Sequence, residues 1–387
     1  MGKLGYAAKA PDVDIKEAAS FEALGEFIRF PLELYAQDAN FVPPILVERR
    51  EFLDSKRNPF FEHTQAAFFL ARRDGCVVGR IAAGVDERYN RFHKTNTGFV
   101  GLFECIQDVG VAAGLFERAG AWVKARGAAR ILGPLSMAFH HECGLLVSGF
   151  EHPHSMFTPY NPPYYEALFE ANHFQKAKDL HAYAFSARQD FPQKVRQAAQ
   201  KAKQRAGVHI RRLNLERLEQ EKDSIKAVYD SMRKPGFGLL PLTQAEFDYA
   251  MHRLKPLIVA RPELCFVVEV EGEVVAFALS MPDAQIALRS AGGYLSRFGI
   301  PWGLLKIIWA AHRLRRIRVF LFGIRPGFQR LGLDCLLAQE TVSAARKWGY
   351  DEGELGWIAE DDALLGRTVQ FLGAKQIKTF RVFERPV

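Results

Sequence analysis

The 387-residue sequence predicts a mixed α/β fold with two tandem units, each a central mixed sheet flanked by helices. Two hairpin patterns, one in each half of the chain, predict it, because each is followed by an apolar strand and an amphipathic helix. The apolar fraction of 48% and the charged fraction of 25% are typical of globular proteins. The length accommodates two or three domains with large cores, so disorder and a small disulfide-stapled domain are excluded.

The first elements are the two β-hairpins. Residues 66–86, AAFFLARRDGCVVGRIAAGVD, contain two strand-like runs around Asp74-Gly75. Residues 265–283, CFVVEVEGEVVAFALSMPD, repeat the pattern around Glu271-Gly272. Each half is therefore predicted to contain one antiparallel pair of strands joined by a tight turn.

Each hairpin is followed by a strand and helix, GFVGLFECI with VAAGLFERAGAWVKARG and RVFLFGI with LDCLLAQETVSAARKWG. A further strand, a short helix and a last strand complete each half. Aligning residues 172–174 with 372–374 gives an offset of 200 residues, which indicates a duplication. The predicted units are residues 1–187 and 208–387, joined by a basic helix at 188–207 that forms a solvated face or touches an anionic partner.

The net charge of +8 favours an anionic partner, namely nucleic acid, a phosphate-bearing cofactor or an anionic membrane surface. No helix-turn-helix pattern is present and the basic residues are spread over both halves, so no nucleic acid is expected. The five cysteines are dispersed without a CxxC pair, which disfavours a metal site and suits a reducing compartment. We therefore expect no bound metal and a cytoplasmic location, with peripheral binding to the inner membrane left open.

The segment IRPGFQRLGLD, residues 324–334, lies between an apolar strand and an amphipathic helix. A turn that opens a helix presents unpaired N–H groups and the positive end of the helix dipole, which suit a pyrophosphate. Glycine at 332 allows close backbone approach, and the side chains at 329 and 330 add donors. The predicted loop residues are Ile324, Gln329, Arg330, Leu331, Gly332 and Leu333.

The first half contains the same spacing after a strand, in residues 107–112, QDVGVA. It lacks the basic residue, so phosphate binding is less favourable there. Either half can hold the cofactor on this pattern, and the second half is preferred.

The Gln-x-x-Gly-x-small spacing resembles the acyl-CoA pyrophosphate loop of the GCN5-related N-acetyltransferases (GNAT), with Asp334 replacing the expected Gly or Ala. A phosphate would be repelled by this carboxylate unless it turns away. Most of the chain is similar to bacterial tandem GNAT proteins that transfer long acyl chains. The similar segments are GPLSMAFHHECGLLVSGFEHPHSMFTPYNPPYYEALFE and ELGWIAEDDALLGRTVQFLGAKQIKTFRVFE, with Asp362 where those relatives tend to have Asn. Within that group the chain resembles the bacterial ceramide synthase type.

The resemblance implies amide formation from acyl-CoA as co-substrate, with no permanently bound cofactor. From Gln107 to Asn161 is 54 residues, whereas the matching interval from Gln329 to Asp361 is 32. The surplus of about 22 residues falls where the GNAT fold places its splayed central strands. Residues 136–159 are therefore predicted to form an inserted substrate loop.

Amide formation needs a base for the attacking ammonium and an acid for the departing thiolate. GNAT enzymes often use a Glu and a Tyr. The candidates are Glu142 or His141 as the base and Tyr160 as the acid, with Tyr164 and Tyr165 as alternatives. A His starts near the useful pKa, whereas a Glu needs burial to approach it.

These residues also have structural interpretations. His140-His141 suits a polar loop at a strand end, and the tyrosines at 164 and 165 suit core packing. Asn161 followed by two prolines is typical of a helix start with Asn as N-cap. Adjacency of Cys143 to this cluster is weak evidence for a nucleophile.

Residues 298–311, FGIPWGLLKIIWAA, are the most apolar stretch, but Pro301 and Lys306 interrupt it and it is too short to span a bilayer. Arg313, Arg315, Arg316 and Arg318 follow it. This pattern suits an interfacial helix, the wall of an acyl-chain tunnel or a buried helix with a solvated end. If Arg318 begins the next strand, the cluster is available to CoA phosphates.

The expected function is acyl-CoA-dependent transfer of a long fatty acyl chain to a lipid amine, and the resemblance makes that amine a sphingoid base. One alternative is an N-acyl amino acid synthase, whose site should be smaller and more polar. The other is a non-catalytic GNAT-like regulator that binds acyl-CoA.

Overall fold

The computed structural model describes residues 13–233, 238–296 and 299–387. Residues 1–12 of the first predicted unit and Phe298 of the apolar stretch lie outside them. The described strands are β1 (Asp14–Glu17), β2 (Thr64–Arg73), β3 (Cys76–Asp86), β4 (Thr97–Cys105), β5 (Arg130–Gly133), β6 (Leu145–Ser148), β7 (Gln175–Ser186), β8 (Val208–Arg212), β9 (Cys265–Val270), β10 (Glu273–Pro282), β11 (Arg316–Ile324), β12 (Glu352–Ala359) and β13 (Lys375–Pro386).

The α-helices pack on both faces of this sheet. Those described are α1 (Phe21–Leu34), α2 (Leu46–Phe52), α3 (Glu87–His93), α4 (Val109–Lys124), α5 (Tyr165–Ala171), α6 (Gln193–Lys203), α7 (Leu218–Ser231), α8 (Gln244–Ala260), α9 (Gln285–Ala291), α10 (Trp302–Ala311), α11 (Leu333–Lys347) and α12 (Ala363–Phe371). The predicted α/β class is confirmed.

The two predicted hairpins are confirmed. Strands β2 and β3 pair antiparallel around Asp74 (φ 53°) and Gly75 (φ 79°). Strands β9 and β10 pair antiparallel around Glu271 (φ 53°) and Gly272 (φ 83°). Two consecutive left-handed residues are the geometry that matches the twist of the flanking strands.

The duplication is visible in the order of elements. The series β4–α4–β5–α5–β7 is repeated as β11–α11–β12–α12–β13. The last strands begin at Gln175 and Lys375, 200 residues apart, and both have twelve residues. The offset predicted from the sequence is therefore present in the structure.

The two halves share one sheet because their last strands are exchanged. The strand order is β1-β2-β3-β4-β5-β13-β7-β12-β11-β10-β9-β8, with β6 paired to β13. Strand β13 of the second half pairs with β5 of the first, and β7 of the first half pairs with β12 of the second. Each half therefore completes the other's sheet, a linkage that the predicted division at 187 and 208 did not contain.

The central parallel strands separate in both halves. Strands β4 and β5 pair over Thr97–Phe99 and Arg130–Leu132, and β11 and β12 pair over Arg316–Val319 and Glu352–Leu355. In the first half one further bond follows, from the Leu135 N–H to the Val100 carbonyl at 2.9 Å, and beyond these residues neither pair continues. The splayed geometry that the resemblance implied is present twice.

The surplus residues of the first half lie beside its splayed strands. Gly101 of β4 lies so close to this segment that a Cβ there would come within 1.4 Å of the Leu135 carbonyl oxygen. The predicted loop 136–159 is not wholly irregular, since it contains β6. Further along the chain, α6 occupies most of the predicted basic linker and packs Val195, Ala199 and Ala202 against α11.

Candidate active site

Glu142 lies in the loop beside the splayed strands and is held as a carboxylate. Arg49 Nη2 is 3.2 Å from Glu142 Oε1, and the Ser136 hydroxyl donates to Oε2 at 2.8 Å. Burial alone would raise the pKa of Glu142, but the Arg49 charge and the Ser136 hydrogen bond outweigh it and hold the pKa below its ordinary value. Its side chain is 29% exposed, so an ammonium group can approach it.

His141 shares Ser136 with Glu142. Its Nδ1 lies 2.8 Å from the Ser136 carbonyl oxygen, which can only accept, so Nδ1 carries the proton and Nε2 is the basic nitrogen. The rings of Phe52 and Phe60 pack edge-on against it. Burial, then the neighbouring His140, lowers the pKa of His141 well below its ordinary value. The ring is therefore neutral at neutral pH.

A second charged network joins the two halves behind this loop. His63 Nδ1 lies 3.0 Å from Asp86 and Nε2 lies 3.1 Å from Glu246, which also accepts from Arg88 at 2.9 Å. His140 Nε2 lies 4.0 Å from the same glutamate. Burial disfavours the charge on His63, but its two carboxylate partners outweigh this and raise the pKa to about 9. Sequence reasoning missed this network, because no local pattern connects residues 63 and 246.

Tyr160 does not contact Glu142 directly. Its hydroxyl donates to Asp38 at 2.5 Å, and its ring packs against Tyr35, Phe41 and His154. Burial and then the Asp38 carboxylate raise the pKa of Tyr160 above its ordinary value. The Asp38 carboxylate therefore holds the Tyr160 proton in a hydrogen bond and opposes its transfer to any other acceptor.

The other two tyrosine candidates bind β4. Tyr165 and Tyr35 both donate to Glu104, at 2.9 Å and 2.5 Å, and Arg80 lies 3.5 Å from the same carboxylate. Burial raises the pKa of Glu104 despite these partners. The Tyr164 hydroxyl donates to a backbone carbonyl of the same strand at 2.8 Å. Tyr164 and Tyr165 therefore pack against β4, as their structural interpretation predicted.

Two further sequence candidates have structural roles. Burial raises the pKa of the Cys143 thiol, so it stays protonated and is a poor nucleophile. The expectation that Asn161 caps α5 is wrong, because the helix begins at Tyr165 with Tyr164 as N-cap. The Asn161 amide instead binds the Leu146 backbone at both N–H and carbonyl.

The predicted phosphate loop opens α11 in the second half. Gly332 (φ 76°) is the N-cap, without a capping side chain, and Gln329 and Arg330 are exposed beside it. Asp334 lies in the first turn of α11, and burial and this carboxylate raise the pKa of the neighbouring Cys335 thiol to about 11. Of the remaining predicted loop residues, Ile324 and Leu333 are buried and Leu331 is half-buried.

The equivalent helix of the first half is closed. The Asp108 carboxylate accepts from the N–H groups of Gly110 and Val111 at 2.8 and 3.2 Å. Arg73 pairs with the same carboxylate at 2.6 Å. Because a negative charge already occupies these donors, a phosphate would be repelled there.

The inserted segment connects the first-half loop to β11 and β12. Ser155 donates to Glu354 at 2.8 Å, and the ring of Phe157 packs on Phe320 of β11 with centroids 5.0 Å apart. The catalytic candidates and the phosphate loop thus lie in different halves, with this segment between them. No contact described for the chain joins the two sets directly.

The cationic cluster after the apolar stretch is partly withdrawn from solvent. Arg316 and Arg318 lie in β11 and pair with the buried Glu354, at 3.0 and 2.9 Å, and Lys378 pairs with it at 2.8 Å. The idea that Arg318 is available to CoA phosphates is therefore wrong. Helix α10 itself is largely exposed, so the buried-helix interpretation of the stretch is also wrong.

The described residues contain neither a metal-binding cluster nor a membrane-spanning helix. No group of three or more His, Cys, Asp or Glu residues is arranged to hold a metal ion. Nor does any described helix have the length and apolarity needed to cross a bilayer.

Comparison with known proteins gives relatives over nearly the whole chain. The sequence is 30% identical over 372 residues to the protein YghO of Escherichia coli K12, covering 94% of this chain and 93% of YghO. It is 30% identical over 369 residues to the bacterial ceramide synthase of Caulobacter vibrioides, covering 94% of each chain. No protein-family model matches the sequence.

The fold has solved counterparts. A tandem GNAT protein from the clavulanic acid biosynthesis pathway superposes with a TM-score of 0.56 and 12% identity, covering 97% of this chain and 98% of that one. A GCN5-related N-acetyltransferase from Sphaerobacter thermophilus superposes with a TM-score of 0.52 and 14% identity, covering 96% and 95%.

The fold is that of tandem GNAT proteins. Together with the relative named bacterial ceramide synthase, it makes this chain an acyltransferase. The chain belongs to the family of YghO and the bacterial ceramide synthase. The family resemblance stated from the sequence is confirmed, and an enzyme is favoured over the non-catalytic regulator.

Proposed function

We propose that this enzyme transfers a long fatty acyl chain from CoA to the amine of a sphingoid base. The relative named bacterial ceramide synthase, at 30% identity over 94% of the chain, supports the choice of acceptor. In the reaction the amine nitrogen forms a bond to the acyl carbonyl carbon and the carbon–sulfur bond breaks. The nitrogen, bound as an ammonium, loses one proton to a base before attack and a second as the amide forms. The CoA thiolate gains one proton from an acid, so one proton is released overall.

The observation that carries the placement of CoA is the contrast between the two helix N-termini. Helix α4 is capped by Asp108, whereas α11 begins at Gly332 without a capping side chain. Free N–H groups and the helix dipole favour a pyrophosphate at α11. Gln329 and Arg330, both exposed beside this turn, would add donors, and the Asp334 carboxylate would have to turn away from the phosphate.

The acceptor amine would bind at the first-half loop. Glu142 is the group that holds the ammonium, because its lowered pKa keeps it ionised. His141 is the base in this scheme, because its Nε2 is the unprotonated nitrogen. Burial lowers the pKa of this ring, which makes it a weaker base than a free imidazole. The sequence left the base open between these residues, and their protonation states support this division.

Tyr160 is the acid in this scheme. Its raised pKa makes it a weak acid while Asp38 holds its proton. The thiolate would therefore have to replace Asp38 as the acceptor of this hydrogen bond. A Tyr160→Phe variant is expected to retain acyl-CoA binding and to lower the rate of amide formation.

The test is incubation of the purified chain with palmitoyl-CoA and a panel of amines, with mass spectrometry of products and measurement of CoA release. The panel contains sphinganine, 3-ketosphinganine, several amino acids and a polyamine. An amide of a sphingoid base is the expected product. An amide formed with an amino acid alone would replace the proposal by an N-acyl amino acid synthase, and CoA binding without any product would overturn it.

A further inference from the structure

Helix α10 turns its large apolar side chains outward. Gly303 and Ala310 are buried, and Ile307 is half-buried between them, so small residues form most of the face towards the protein. Trp302 and Trp309 are 55% and 64% exposed. Surface helices of globular proteins have the opposite arrangement, with the large apolar residues facing the core.

The exposed apolar surface extends over both helices of the α9–α10 hairpin. We define the apolar hairpin by its exposed large side chains, Ile286, Leu295, Ile300, Trp302, Leu304, Leu305, Ile308 and Trp309. They are eight of the fourteen exposed large hydrophobic residues in the described part of the chain. A surface this concentrated marks an interaction site rather than scattered exposure.

The charges around the hairpin have one sign. Residues 284–315, which end before β11, contain five Lys or Arg residues and no Asp or Glu. Arg289, Lys306, Arg313 and Arg315 are exposed, and the Arg313 guanidinium lies 4.0 Å from the centroid of the Trp309 ring. Tryptophan beside cations suits the boundary between the acyl chains and the headgroups of an anionic bilayer.

The hairpin is attached to the segment that holds the candidate active site. The Leu46 N–H donates to the Gly293 carbonyl at 2.9 Å, and Arg289 donates to the Ala39 carbonyl at 2.7 Å. The segment between these contacts begins next to Asp38, which binds Tyr160. A membrane at the hairpin would therefore lie beside the acceptor site.

We propose that the apolar hairpin inserts into the interfacial layer of an anionic phospholipid bilayer and holds the acceptor site at the membrane surface. Direct entry of a lipid amine from the bilayer is a consequence that rests on the proposed function. The docking itself rests on the exposed apolar side chains and on the absence of acidic residues from residues 284–315.

The experiment is flotation of the full chain with vesicles of phosphatidylcholine mixed with phosphatidylglycerol, and with vesicles of phosphatidylcholine alone. A Trp302→Ser/Trp309→Ser variant is compared with a Trp348→Ser/Phe371→Ser control, which removes exposed aromatic residues outside the hairpin. We expect tight binding to the anionic vesicles only, reduced at least about tenfold in the hairpin variant and unchanged in the control.

Three results would overturn the proposal. They are no binding of the wild-type chain to anionic vesicles, equal binding by the hairpin variant, and a self-association in sedimentation equilibrium that the hairpin variant abolishes. Self-association of this kind would show that the apolar hairpin binds a second copy of the chain and not a bilayer.

Amide formation from a short-chain acyl-CoA and a water-soluble amine, measured without vesicles, separates this inference from the proposed function. The hairpin variant should keep the wild-type rate there while it loses vesicle binding. Equal loss of that soluble activity in the hairpin variant would contradict a role confined to docking. Absence of amide formation from palmitoyl-CoA and sphinganine in every protein, with vesicle binding intact, would overturn the proposed function alone.

Discussion

Ionisable side chains in the interior are held in compensating groups. Glu142 pairs with Arg49 in the first half, and Glu354 pairs with Arg318 and Lys378 in the second. A buried ion pair contributes little net stability, but an unpaired buried charge costs several kcal/mol. Removing one partner therefore destabilises the protein by more than the pair contributes. Variants at such positions are best made with neutral residues of similar shape.

Glu142→Gln tests the acceptor site. The amide keeps the size of the side chain but loses the charge that would hold an ammonium, so kcat/KM for the amine should fall by about 10²-fold. The KM for acyl-CoA should not change. Steady-state kinetics with both substrates measure this, and Glu51→Gln on the exposed side of α2 is the matched control.

If the Glu142→Gln enzyme had wild-type kinetics while the chain formed its amide product, Glu142 would not lie at the reacting amine. The first-half loop would then be structural, and Glu104, with its raised pKa, would become the next base to test.

His63 should make stability depend on pH above neutrality. Its pKa is raised from 6.5 to about 9 in the folded protein, so its contribution is fully present below pH 6.5 and is lost as the pH rises through 9. The contribution is about 3 kcal/mol. Denaturant unfolding between pH 6.5 and 9 measures it as the difference between wild type and His63→Gln.

Other groups do not reproduce this window. Lowered pKa values at His140, His141 and His154 remove stability as the pH falls below 6.5. Glu246, with its pKa lowered to about 2, acts in the same direction below pH 4.5. A constant difference between wild type and His63→Gln across pH 6.5 to 9 would contradict the charged state of His63.

At the scale of elements, equivalent helices of the duplicated halves have different N-termini. The same sequence spacing precedes both α4 and α11, yet one end is closed by Asp108 and the other is open. The difference is a single side chain at the N-cap, where a carboxylate satisfies the same N–H groups that a phosphate would use. The two halves therefore share the element and differ in the side chain at its N-terminus.

Arg330→Ala tests the open helix. Loss of a charged hydrogen bond to phosphate should raise the KM for acyl-CoA about tenfold with little change in kcat. Arg73→Ala at the N-terminus of α4 is the control, because Asp108 still closes that site. Initial-rate kinetics distinguish the two variants, and a higher KM in Arg73→Ala alone would place CoA in the first half.

At the scale of the whole molecule, the exchanged strands make the halves interdependent. Strand β5 has β13 as its neighbour, and β12 has β7. A half produced alone would lack a partner for the open edge beside its splayed strands, and its own last strand would have lost its neighbours.

Residues 1–207 and 208–387, expressed separately, are therefore expected to aggregate or remain unfolded, whereas co-expression should restore a complex. Circular dichroism and size-exclusion chromatography measure this. A full chain cleaved within residues 188–192, between β7 and α6, should stay associated and folded. Two independently folded halves would contradict the importance of the exchange.

The sequence by itself determined the repeated unit. The hairpin turns at Asp74-Gly75 and Glu271-Gly272, the strand–helix order and the 200-residue offset depend on local backbone preferences and on hydrophobic period, which neighbouring residues specify. The turn at Gly332 that opens α11 belongs to this group, whereas its role in phosphate binding stays a prediction.

Tertiary structure alone decided three features. Strands β7 and β13 have equal lengths, so local sequence does not specify which half each completes. Arg49, Asp38 and Glu246 reach the site from distant segments, and long-range pairing leaves no trace in hydrophobic period. The outward face of α10 was one of three alternatives that the sequence left open, because an apolar helix has the same sequence pattern whether its partner is the protein core or another surface.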